Sequence, residues 1–114
     1  MEDTRVTFET AKLAKEKGFE FKIVWEYILG FKDNHERDKY LPTQSLLQKW
    51  LREKYNQHIY LFPLDNGKWG FENNSISINL DHIFINYMYE GKKYNSYEEA
   101  LEAGLQEVLK LVKF

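Results

Sequence analysis

Cysteine is absent from this sequence, and with it go disulfides, thiolate zinc sites, iron–sulfur clusters and cysteine nucleophiles. No apolar run approaches the roughly 20 residues that a membrane-spanning helix needs. Residues Met1 to Val6 (MEDTRV) are polar and acidic, with no apolar stretch behind a basic start, so no secretory signal is expected. The expected address is therefore cytoplasmic, with no membrane partner. Positive charge is not in excess either. The formal net charge is −2, which argues against a chain that coats nucleic acid or anionic lipid without specificity.

Catalytic signatures are missing in the same way. Ser45, Ser75, Ser77 and Ser96 have no flanking glycine elbow. A glycine-rich phosphate loop is absent, since Gly67 and Gly70 flank only a hairpin arm. The three histidines, His35, His58 and His82, are not spaced as a ligand set. The run His35-Glu36-Arg37-Asp38 lacks the second histidine of a zinc-hydrolase helix. Catalytic residues, cofactor and metal are accordingly all expected to be none.

What the chain does have is length for one core and an aromatic surplus. Its 114 residues suit a single domain spanning 1–114. Eight Tyr, eight Phe and three Trp supply large buried areas per side chain. Three segments read as helices. Thr7 caps a helix from Phe8 to Lys17 that Gly18 ends, and its thin apolar face (Ala11, Leu13, Ala14) predicts a surface position. Thr43 caps Gln44 to Lys54, with Leu46, Leu47, Trp50 and Leu51 on one arc and Asn56 as its stop; Trp50 is expected in the core. Ser96-Tyr97-Glu98-Glu99 is a capping box, and Leu101, Leu105, Val108 and Val112 follow as a buried stripe. Gly104 lies on that stripe and predicts close approach to a strand.

Strands are predicted at His58–Phe62, Lys68–Glu72, Ser75–Leu80 and Ile83–Tyr89, with a hairpin turn at Asn66-Gly67. Phe19–Leu29 alternates like a strand but also fits a helix through Phe21, Val24, Trp25 and Ile28. Gly30–Leu41 reads as a charged loop. The fold class is α+β: an antiparallel sheet of three to four strands, or five with Phe19–Leu29, with helices packed on one face.

The phrases Thr10–Phe19 (TAKLAKEKGF), Thr43–Lys54 (TQSLLQKWLREK) and Tyr97–Leu105 (YEEALEAGL) resemble a family of small uncharacterised proteins from Bacteroidetes bacteria, their phages and other mobile elements. The resemblance implies a genomic setting. It carries no catalytic residue or cofactor with it.

Two binding readings remain. Seven tyrosines (Tyr40, Tyr55, Tyr60, Tyr87, Tyr89, Tyr94, Tyr97) exceed what a small core must hold, and tyrosine is favoured at interfaces. This favours a non-enzymatic accessory domain that binds another protein or itself. The alternative is nucleic acid. Helix, three strands, helix from Thr43 onward shares the order of the double-stranded RNA-binding domain. The outer face of the second helix (Ser45, Gln48, Lys49, Arg52) reads as basic and free of acid, and Lys92 and Lys93 precede the last helix. Those six residues are the candidate binding face. Glu98, Glu99 and Glu102 beside the lysines argue against phosphate, and an enzyme ranks third.

Overall fold

The computed structural model describes residues 4–20, 30, 33–73 and 93–113. Its helices are α1 (Phe8–Glu16), α2 (Asn34–Asp38), α3 (Gln44–Tyr55) and α4 (Tyr97–Leu111), and its strands are β1 (Ile59–Pro63) and β2 (Trp69–Asn73). The chain is α+β.

Local chemistry explains the ends of these elements. Thr7, Thr43 and Ser96 each stand in extended backbone, and their side-chain oxygens accept from Thr10, Leu46 and Glu99 N–H groups respectively. At Ser96 the second half of the capping box reaches one residue further back than expected, because Glu99 Oε2 accepts from the Asn95 N–H at 2.9 Å. Helix α1 stops at Gly18, whose φ of +96° continues into paired bonds from Gly18 N to Lys15 O and from Phe19 N to Ala14 O. Asn56 ends α3 with φ +54°.

β1 and β2 pair antiparallel with Tyr60 opposite Glu72 and Phe62 opposite Gly70. The turn between them forms as the Asn-Gly pair requires. Asn66 and Gly67 both have positive φ (+63° and +74°), and Lys68 N closes on Asp65 O at 3.3 Å. On its other edge β2 meets the chain again at Tyr94, which exchanges two 2.9 Å hydrogen bonds with Trp69. The sheet among the described residues has these two strands plus that bridge, against the three to four expected. The predicted strands Ser75–Leu80 and Ile83–Tyr89 lie outside the described residues, as does most of Phe19–Leu29.

α4 lies on the inner sheet face. Its Leu101, Leu105, Val108 and Val112 are buried, as the stripe predicts, and Leu109 joins them. Gly104 is where helix and sheet come closest. A Cβ there would stand 3.0 Å from Ile59 Cγ2 and 3.2 Å from the Phe71 ring.

Three expectations need correcting. α1 is not a peripheral helix, because Thr10, Ala11 and Ala14 are fully buried and α1 packs along α4; alanine lets two helices approach closely, so a thin apolar face suffices. α3 packs mainly on α4 as well, through Leu47 and Leu51. Within the predicted loop Gly30–Leu41 sits the helical turn α2, whose Arg37 guanidinium lies 4.0 Å from the Phe8 ring centroid.

A carboxylate ties these helices together. Glu102 Oε2 on α4 accepts from the Thr7 N–H (2.9 Å), the Thr7 hydroxyl (3.0 Å) and the Thr10 hydroxyl. Its Oε1 accepts from Gln44 Nε2 at 2.9 Å, and the same amide nitrogen donates to Glu98 O. Gln106 Nε2 then donates to the Thr10 hydroxyl. Thr10 and Gln44 are buried polar residues, and this network is what satisfies them. The sequence sets Glu102 beside the candidate phosphate contacts; its carboxylate turns instead onto the N-terminal ends of α1 and α3, where negative charge is favoured.

Two stability measurements check this packing. Glu102→Ala leaves the Thr10 hydroxyl and the Gln44 amide short of partners, and urea melts should show a loss of about 2–3 kcal/mol; a loss below ~0.5 kcal/mol would contradict the network's role. Gly104→Val forces side-chain atoms into Ile59 and Phe71, and the same melts should show a loss of about 2–3 kcal/mol from overpacking, where a stabilised variant would contradict the close approach.

Candidate functional site: an apolar groove beside helix α3

Helix α3 has a broader apolar arc than one core face can take, and the structure divides it. At 100° per residue, Gln44, Leu47 and Leu51 fall together and are buried. Leu46, Lys49, Trp50 and Glu53 fall on a second stripe, at spacings of three, four and seven. All four line a groove of about 690 Å³.

The opposite wall of the groove comes from Arg5, Phe19, Glu20 and the run Lys39 to Thr43. Backbone pairing places it. Val6 N donates to Pro42 O at 2.9 Å and Gln44 N to Thr4 O at 2.8 Å, so the segment before α1 runs antiparallel to the approach to α3. Phe19 follows α1 and packs edge-on against Trp50, their centroids 5.1 Å apart, while Trp50 meets Tyr55 at 5.4 Å.

The surface of the groove is mainly carbon: Phe19, Leu41, Pro42, Leu46 and Trp50, with the Tyr40 ring. Leu46 is 48% exposed and Tyr40 38% exposed. Charges of both signs stand among them, Arg5, Lys39 and Lys49 with Glu20 and Glu53. Several polar groups here already carry structural contacts. Thr43 Oγ1 caps α3, Arg5 Nη1 donates to Leu41 O, and Lys49 Nζ lies 3.8 Å from Glu53 Oε1. The arrangement suits holding an apolar surface between charges more than moving protons.

Of the six residues expected as a binding face, Ser45, Lys49 and Arg52 are exposed on one arc of α3. Gln48 turns toward the sheet, its Nε2 3.4 Å from Ile59 O. Lys49 belongs to the groove and pairs with Glu53, so the face is not free of acid. Lys93 is exposed just before the Tyr94 bridge, and Lys92 lies outside the described residues. The groove itself was not foreseen, although the i, i+3, i+4, i+7 spacing of its α3 stripe was there to be read.

Of the histidines, exposed His35 donates its backbone N–H to Asp33 Oδ1, and His58 stacks on Tyr60 with Nε2 3.2 Å from Asn56 Oδ1; His82 lies outside the described residues. Among the described residues no group of three or more His, Asp or Glu is placed to hold a metal ion, and no helix is long and apolar enough to cross a membrane. Burial raises the phenol pKa of Tyr94 above its ordinary value, and the nearby Glu107 charge adds to the shift.

The class these features define is a small α+β domain with an apolar groove along one helix. Set against protein-family models, curated proteins and solved structures, the chain matches none.

Trp50 is half-buried as a groove wall and is not the core residue expected of it. Trp50→Ala should therefore cost about 1–2 kcal/mol, less than Leu51→Ala at about 2–5 kcal/mol. Denaturant melts of the two variants check the order, and a Trp50→Ala loss exceeding that of Leu51→Ala would reverse the assignment of α3 faces.

Proposed function

We propose that this chain works as a non-enzymatic accessory domain that binds a protein surface, its own or another's, in the groove beside α3. The observation that carries the reading is exposed Leu46 beside half-buried Trp50, facing Tyr40 and Phe19, with charges of both signs among them. Leu46 and Tyr40, left in water at one concave place in reach of charged residues, fit the composition of a docking site. A role as an accessory domain also suits the phage and mobile-element setting that the sequence phrases resemble.

Nucleic-acid binding is the alternative, and two details weigh against it. Lys49 has Glu53 beside it, and Glu20 and Glu53 would face any phosphate brought to the groove. Gln48 is turned away toward β1.

A display library of random peptides, selected on the wild-type protein and then measured on Leu46→Asp, tests the proposal. Peptides with bulky apolar anchors should enrich, and Leu46→Asp should weaken them at least about tenfold. Peptides that fail to enrich, or that bind both proteins equally, would contradict a docking role for the groove.

A further inference from the structure

We draw no further inference here: the strongest candidate, the apolar groove between helix α3 and residues 39–43, belongs to the site already described, and nothing in the structure shows what covers it.

Discussion

The Glu102 carboxylate is the point on which the helical layer depends. It sits on α4, which the sheet holds in place through the contact at Gly104, and it accepts hydrogen bonds from the start of α1 and from the first residue of α3. α1, whose apolar face is thin, and α3 are thereby fixed to α4 at defined places. The cost of burying Thr10 and Gln44 is met by the same group, since their hydrogen-bonding capacity ends on Glu102 or on neighbours it positions. At the far end of the layer the helices are clasped again. Lys17 Nζ donates to Val112 O at 2.7 Å beyond the end of α4, and the Tyr55 hydroxyl donates to Lys17 O at 2.8 Å. A cation at the C-terminal end of α4 and a carboxylate at the N-terminal ends of α1 and α3 both suit the helix dipoles.

The groove follows from that arrangement. Anchoring Gln44 fixes where α3 begins, and pairing of residues 4–6 with 42–44 fixes the chain that approaches it. With Leu47 and Leu51 committed to α4, Leu46 and Trp50 have to face the other way, toward Phe19 and Tyr40. The groove is therefore set by where the core and the paired backbone place α3 and the chain before it.

Much of the local structure was legible in the sequence because its causes are local. Thr7, Thr43 and Ser96 cap helices through amides three residues away, Gly18 and Asn66-Gly67 answer to backbone sterics, and the α4 stripe answers to helical period. Gly104 was legible for a related reason, since glycine inside a helix asks for a close neighbour. The partners of Glu102 were not legible. They lie 58, 92 and 95 positions away, and nothing near Glu102 in the sequence distinguishes it from the surface acids Glu98 and Glu99. The phase of α3 failed for a similar reason. Leu46, Leu47, Trp50 and Leu51 form one continuous apolar arc, and only the position of α4 decides which part of it becomes core and which part becomes groove. Of the face read from Ser45, Gln48, Lys49 and Arg52, three residues stay exposed and Gln48 reaches to Ile59 O.

The central claim is that α3 turns Leu47 and Leu51 into the core and Leu46 and Trp50 toward the groove. Nuclear Overhauser spectroscopy on the isotope-labelled chain reads that division directly. Cross-peaks should join the Trp50 ring to the Phe19 ring. Leu46 methyls packed on α4, or a Trp50 ring with no cross-peak to Phe19, would contradict it.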